Sequence, residues 1–475
     1  MVFEHIAHGQ QPLEYVKSTA YTRRPAYQTF NLEFIPSRFF PIVQPFVTAI
    51  HLLTMSTKSY PHVLVVGAGM SGLTLAHQLK TANISFSIFE RDPTSDARTQ
   101  GWALSLFGPA LADLVESMPE EMGPVDQTSH LLPLDLPAQF VFYDITRPGM
   151  RAGVISDESG KIVRANRTRL RNWLLQGIDV KYGKQPARIE EADDKVTVHF
   201  SDGTSETGDF LVGAEGTRSM VRKHILHGQD IMKPLALGSL VGEVALSGDD
   251  FKRQLALAHS GYIVMNSTLG SDDQSAIFGA LNKVSEDGNT GYYYFILLWV
   301  DKNAPNTTEE NPNWTVGATK EQLAAFARGK TRAYPNHLRE LVDKVPIEGY
   351  SSPGFQLQGV QMTAEQLPAG KVVVIGDAAH SMTPFRGEAG VCAFTDALKL
   401  GRTLARVRDT AATGDDLKQL VTEFRDDMLS RGKWAIEVSN PVLEDYGRVP
   451  DYKFGTFGKE AVPLPEEGVS VVAVQ

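Results

Sequence analysis

Glu90 stands eighteen residues beyond the turn Gly67-Ala68-Gly69-Met70-Ser71-Gly72, and Asp377 follows the apolar run Val372 to Ile375 and Gly376. A carboxylate at the end of a buried strand gains nothing from the core and must find donors. The hydroxyls of a ribose or another polyol are such donors. In G-x-G-x-x-G, Gly67 permits the tight turn, Gly69 lets the backbone approach a pyrophosphate and Gly72 lets the helix pack closely on its strand. The free N–H groups of that helix start face phosphates. The chemistry indicated is the binding of an adenine dinucleotide, with Glu90 accepting from both ribose hydroxyls. A 2′-phosphate would be repelled there. Flavin and nicotinamide enzymes share this fingerprint, so the motif leaves the two open.

Cations stand near both motifs. Arg98 precedes Gly101, and Arg164, Arg167, Arg169 and Arg171 fall within eight residues. Such a run usually forms a solvated helix face, but a guanidinium fork also fits pyrophosphate oxygens bidentately. Gly387 to Gly390 opens a helix with the stripe Ala393, Ala397, Leu400, Leu404, and a helix start favours negative charge. No Ser/His/Asp order and no metal-ligand spacing stands out, so no catalytic residue and no metal is named. His380, three residues after Asp377, is read as structural or cofactor-side. Cys392 is the single cysteine, which excludes an intramolecular disulfide and fits a reducing, cytoplasmic setting.

The elements that must position these residues are legible as periods. His62 to Val66 and Ser85 to Phe89 read as strands flanking a helix. Asp179 to Tyr182, Ala187 to Glu190 and Val196 to Phe200 read as hairpin-like strands with Ser201 to Thr204 as the turn. Phe210 to Val212 reads as a buried strand running into Gly213-Ala-Glu215-Gly216. Between 225 and 350 the period is mostly two, with strands at Val241 to Leu246, Gly261 to Val264, Ser275 to Leu281 and Tyr292 to Val300, and helices near Lys320 to Ala327 and Pro335 to Val342. The aromatic run Tyr292 to Phe295 either fills the sheet or lines a pocket, and strand patterning favours the core. The fold expected is α/β: a discontinuous Rossmann-like dinucleotide domain (59–130, 161–225 and 351–405) with an inserted mixed or antiparallel sheet domain (131–160 and 226–350). C-terminal helices (406–450) and a tail (451–475) follow, and 1–58 reads as an extension.

With 42% apolar and 21% charged residues the chain has the composition of a soluble globular protein. Its 46 basic residues against 56 acidic ones give a net charge of −10, with no long basic run, which argues against a nucleic-acid partner. Residues 39–54 carry no Lys, Arg, Asp or Glu. They are shorter than the roughly 18 residues a span needs and are broken by Pro41, Gln44, Pro45 and His51, so a membrane role is disfavoured and would fall to this stretch if it existed.

Three separated motifs resemble those of the class A FAD-dependent aromatic hydroxylases, the salicylate and p-hydroxybenzoate hydroxylase group, in its fungal form. They are the G-x-G-x-x-G with Glu90, the segment Asp209 to Arg222, and Gly376-Asp377 with Ala378, Ala379, His380 and Pro384; the resemblance covers about 60 to 440. It implies that FAD is bound, that NADPH or NADH reduces it, and that O₂ adds at flavin C4a. The resulting hydroperoxide would hydroxylate or epoxidise an aromatic, indole, alkaloid or polyketide-type small molecule of secondary metabolism. It further implies Glu90 as the FAD ribose acid, Arg98 and Arg167 near the pyrophosphate, and Asp377 at the ribityl or pyrophosphate part. Gly387, Ala389 and Gly390 would form the helix start facing the flavin pyrimidine edge. The sequence departs from the pattern at Glu215, where Asp is usual, and at Ala389 and Val391, where Gly and Asn are usual. A flavin oxidase or dehydrogenase of the same fold, and a flavin-binding protein without turnover, are the rival readings.

Overall fold

His62–Val66 is a run of β-branched and aliphatic residues, and it lies at the centre of a five-stranded parallel sheet. The computed structural model describes residues 61–439 except 99–100, 147–150, 159, 193, 267–273, 308–311 and 355. The expected extension 1–58, with the stretch 39–54, therefore lies outside the described residues, as do 440–450 and the tail 451–475.

The strand order is Val372–Val374, Phe210–Gly213, His62–Val66, Ser85–Phe89, Val180–Lys181. Continuous apolar strands of this kind belong in a sheet covered on both faces. The helix Met70–Thr81 buries Leu73, Leu75, Ala76 and Leu79. It is packed against the long helix Glu388–Thr410, where Gly401 lies so close to Gln78 that a Cβ would collide. Burial on that long helix reaches Phe394, Leu398 and Gly401, a wider face than the expected stripe. One expected strand is placed differently. Val180–Lys181 pairs in parallel with Ile88 and Phe89, and the hairpin is formed by Pro186–Ala192 with Lys195–Phe200 and Ser205–Gly208. Two residues are too few to show a period, so pairing was decided by Val180 packing into the sheet core.

The inserted layer is a six-stranded mixed sheet in the order Leu237–Ser247, Thr290–Val300, Ser275–Val284, Gly261–Asn266, Gln139–Asp144, Arg151–Ile155. All its pairings are antiparallel except Gly261–Asn266 with Gln139–Asp144. Strand alternation gives the sheet two faces. Tyr293, Phe295 and Leu297 enter a core shared with Phe251, Leu323 and Leu341 from covering helices, while Tyr294, Ile296 and Leu298 face the other way. The helix Gly414–Ser439 closes the described chain. No helix among the described residues is long and apolar enough to cross a membrane.

Candidate active site

A cavity of about 540 Å³ runs from the carboxyl ends of the parallel strands to the outward face of the six-stranded sheet. Every expected site residue except Gly72 lines it: Gly67, Gly69, Glu90, Arg98, Arg167, Asp377, Gly387, Ala389 and Gly390. Gly72 is behind the turn.

The three glycines of the turn meet different demands. Gly67 has φ +105° and lies against the Ala214 carbonyl, so a side chain is barred by conformation and by space. A Cβ on Gly72 would strike the Gly67 carbonyl oxygen. Gly69, at φ −84°, has nothing within 4 Å of where its Cβ would be. Its bareness is therefore not a packing requirement; it leaves the cavity open beside the first N–H groups of Met70–Thr81. If this turn holds the dinucleotide that the sequence resemblance implies, Gly69→Ala is expected to keep the fold and the unfolding midpoint while weakening its binding by about tenfold, through the methyl group's intrusion on the space a pyrophosphate would need. Flavin titration of the apoprotein, with circular dichroism as the control, checks this; unchanged affinity would remove Gly69 from the binding surface.

Glu90 is 8% exposed, and its carboxylate accepts from Ala68 N at 3.0 Å and Asp92 N at 3.1 Å. These bonds aim it across the strand end beside the turn. The arginine run splits four ways. Arg171 is buried and donates to the carbonyls of Ala68 and Ser95 at 3.1 and 2.8 Å, bracing the glycine turn from behind. Arg169 donates to the Ser129 carbonyl. Arg164 points to the far end of the cavity, and Arg167 stays at its centre with its Nε sheltered and unpartnered. None of the four is the solvated charge such runs usually give. Asn166 caps the helix Arg167–Leu175, which carries all of them but the strand residue Arg164, by accepting from Arg169 N, and its amide donates to the Asn282 carbonyl of the large sheet. Arg98 is exposed at the cavity rim, held to Asp92 at 2.8 Å.

Asp377 begins a single helical turn, and burial pushes its carboxyl pKa up while His380 and Arg167 oppose the shift. It is presented by Gly376, whose φ of +61° favours glycine. Behind that turn lies a network that sequence reasoning missed. Asp396, fully buried on the long helix, accepts from Gly376 N at 2.9 Å, from His380 Nε2 at 2.7 Å and from Arg431 Nη1 at 2.8 Å. His380 is thus engaged by Asp396 behind the cavity wall; it does not line the cavity and is no base for a ligand there.

The other end of the cavity is aromatic. Phe140, Phe142, Phe278 and Tyr294 line it from the large sheet, and Trp102 stacks on Tyr294 with ring centres 4.9 Å apart. Tyr294 therefore lines the pocket while Tyr293 and Phe295 fill the core, so the aromatic run does both of the things its sequence allowed.

Residues 167–426 match the family described as "FAD binding domain", and 65–100 match an NAD(P)-binding Rossmann-like domain. The FAD-dependent monooxygenase thnD of Trichoderma harzianum is 37% identical over 417 residues, 87% of this chain and 100% of its own. The chain belongs to the FAD-dependent monooxygenases. A second relative in the family, dbaB of Emericella nidulans, is 30% identical over 74% of this chain and 88% of its own. The monooxygenase fold is shared with Klebsiella pneumoniae HpxO, solved with FAD and uric acid, at TM-score 0.61, 18% identity and 83% and 90% coverage. It is shared as well with 2,6-dihydroxypyridine-3-hydroxylase of Arthrobacter nicotinovorans at TM-score 0.62, 17% identity and 87% and 100% coverage.

Two of the departures from the monooxygenase pattern, Glu215 and Val391, have local explanations. Glu215 turns back to accept from Ser219 Oγ at 2.6 Å and from Met220 and Val221 N at 3.0 Å each, capping the helix Met220–Ile225. Burial raises its pKa, opposed by those bonds. In the same segment Arg222 donates to the Ala378 carbonyl at 3.1 Å, tying this turn to the one that carries Asp377. Asp209, which opens the segment, binds His62 N at the other end of the sheet, away from the cavity. Val391 packs against the apolar cluster of Phe107, Ala138, Val154 and Ile162, so its size is used in packing behind the cavity lining.

Proposed function

We propose that this monooxygenase uses NADPH or NADH and O₂ to place one oxygen atom on an aromatic small molecule, of the polyketide, indole or alkaloid kind made in fungal secondary metabolism. The observation that carries the reading is the continuity of one cavity, polar and glycine-lined at the strand ends and aromatic at the sheet. When bound, FAD supplies the electron transfer and oxygen activation. The chain's own work is positional. Glu90 takes the adenosine ribose, Gly69 and the helix start take the pyrophosphate, and Arg167 provides the cation beside it. Asp377 accepts from the ribityl chain, and Gly387, Ala389 and Gly390 put a helix start against the flavin's pyrimidine edge. The aromatic wall holds the substrate and excludes water from the reacting centre.

The sheltered, unpartnered Arg167 Nε and the open space at Gly69 fit a negatively charged, elongated cofactor. FAD-loaded protein would be supplied with NADPH or NADH under ¹⁸O₂ and a panel of hydroxylated naphthalenes and benzaldehydes, with products read by mass. One ¹⁸O per product, with substrate-stimulated NAD(P)H oxidation, is expected. Oxidised product without label, with stoichiometric peroxide, would make it an oxidase; no stimulation by any panel member would leave a flavin binder.

A further inference from the structure

Trp102 enters the cavity wall from outside the large sheet, on the segment that leads into the strand Leu104–Phe107. Three contacts fix where its ring stands. Its face stacks on Tyr294 with the two planes 16° apart, and Tyr294 is itself held at its hydroxyl by Arg164 Nη2 at 2.7 Å. The Trp102 indole N–H donates to Glu243 at 2.6 Å, and the next residue, Ala103, donates its backbone N–H to Asn282 Oδ1 at 3.1 Å. Neither Glu243 nor Asn282 lines the cavity. Glu243 is exposed, and among the described residues its only hydrogen bond is the one from the indole. Water would satisfy that carboxylate equally well, so the fold does not depend on the bond.

The sheet places both acceptors for this task. Glu243 lies on the edge strand Leu237–Ser247 directly opposite Tyr294, so the two side chains stand beside each other on one face. Asn282 sits in a β-bulge, where the register of Ser275–Val284 on Thr290–Val300 slips between Leu281 and Lys283. Its side chain takes the Ala103 N–H while its carbonyl takes the Asn166 amide, the cap of the helix that begins at Arg167. Bulges re-aim single residues in this way beside active sites. On the aromatic-substrate reading proposed above, we infer that Glu243, acting through Trp102, sets the largest ring system that the aromatic end admits, with Asn282 fixing the backbone from which the indole projects. Glu243 is a positioning residue, since it stands outside the cavity. While it holds the indole N–H, the ring stays flat against Tyr294 and bounds the pocket at the sheet edge. Without that anchor only the stacking contact opposes rotation of the ring toward solvent. The pocket then widens, so large ring systems gain room and small ones lose a contact face.

The test is binding to FAD-loaded protein without turnover, using phenol, 2-naphthol and 9-phenanthrol, which share a hydroxyl and differ in ring count. Calorimetry gives the affinity of each for the parent and four variants. Glu243→Ala should move the ratio of 9-phenanthrol to 2-naphthol affinity about tenfold toward the larger ring, with phenol weakened. Glu243→Gln keeps an oxygen that accepts from the indole and should stay close to the parent ratio. Trp102→Phe keeps a ring on Tyr294 but has no N–H to anchor, so it should relax the ratio at least as far. Adding Glu243→Ala to Trp102→Phe should then change nothing more, because the two substitutions break one interaction. An unmoved ratio in Glu243→Ala overturns the inference and leaves the aromatic-substrate reading standing. A Glu243→Ala effect that recurs in full on the Trp102→Phe background also overturns it, since Glu243 would be acting by another route. A parent that binds none of the three probes ends the aromatic-substrate reading and this inference together.

Discussion

Arg167→Ala is expected to bind FAD about ten- to a hundredfold more weakly, while its apoprotein remains as stable as the parent. The two halves of that expectation have one cause. Burial lowers the Arg167 pKa, opposed by the charge of Asp377 and reinforced by that of Arg98, and its Nε has no hydrogen-bond partner. A guanidinium left in that condition does little for the folded chain, so its loss should cost the fold little. Its worth would be realised on binding, where charge-assisted bonds to a pyrophosphate contribute about 1.5–3 kcal/mol. Arg167→Lys should recover only part, since an ammonium cannot form the fork. Apoprotein would be titrated with FAD at two salt concentrations, with urea unfolding alongside. Parent-like affinity would return Arg167 to a wall residue. A large loss of apoprotein stability would make it a structural cation, and the weak binding a secondary effect of misfolding.

Much of this site was legible because its signals are local. Gly67, Gly69 and Gly72 carry their meaning in six residues, and Glu90 and Asp377 each follow an apolar run that ends abruptly. The inserted sheet announced itself by period two, and Tyr293 and Tyr294 divide between core and cavity as that alternation requires. What was not legible depends on partners far along the chain. Arg164, Arg167, Arg169 and Arg171 look alike in sequence, but their destinations are set by Tyr294, Asp377, Ser129 and Ala68, which no spacing connects. Val180–Lys181 was too short to show its sheet. Asp396 is the clearest case. On a helix read by its apolar stripe Ala393, Ala397, Leu400 and Leu404 it would pass for a solvated acid, and only the approach of His380 and Arg431 makes it buried and paired.

Asp396→Asn is expected to destabilise the folded protein by about 3–5 kcal/mol, the usual cost of removing one member of a buried ion pair. Asn keeps an acceptor for the Gly376 N–H but leaves His380 and Arg431 without their counter-charge, and Arg431 retains only Asp427 at 2.7 Å. The exposed pair Lys161–Asp126, at 2.6 Å, is the control: Asp126→Asn should cost about 0–1 kcal/mol. The pH dependence has a definite sign. Burial lowers the His380 pKa, but Asp396 overcomes this and holds it above the ordinary value of 6.5. Its contribution is complete below that value and is lost as pH rises through the raised folded pKa. Burial raises the Asp396 pKa, but His380 and Arg431 overcome this and hold it below the ordinary 3.8. Its contribution is present above that value and is lost as pH falls through the depressed one. The parent's advantage over Asp396→Asn should therefore be greatest between the two ordinary values and shrink as pH climbs past neutrality. Urea unfolding of both proteins across that range would measure it. A difference that stays flat with pH would mean that His380 is neutral in the folded state, with Arg431 alone balancing the charge. A difference under about 1 kcal/mol throughout would mean that the turn presenting Asp377 is held by its backbone, and that Asp396 adds nothing to it.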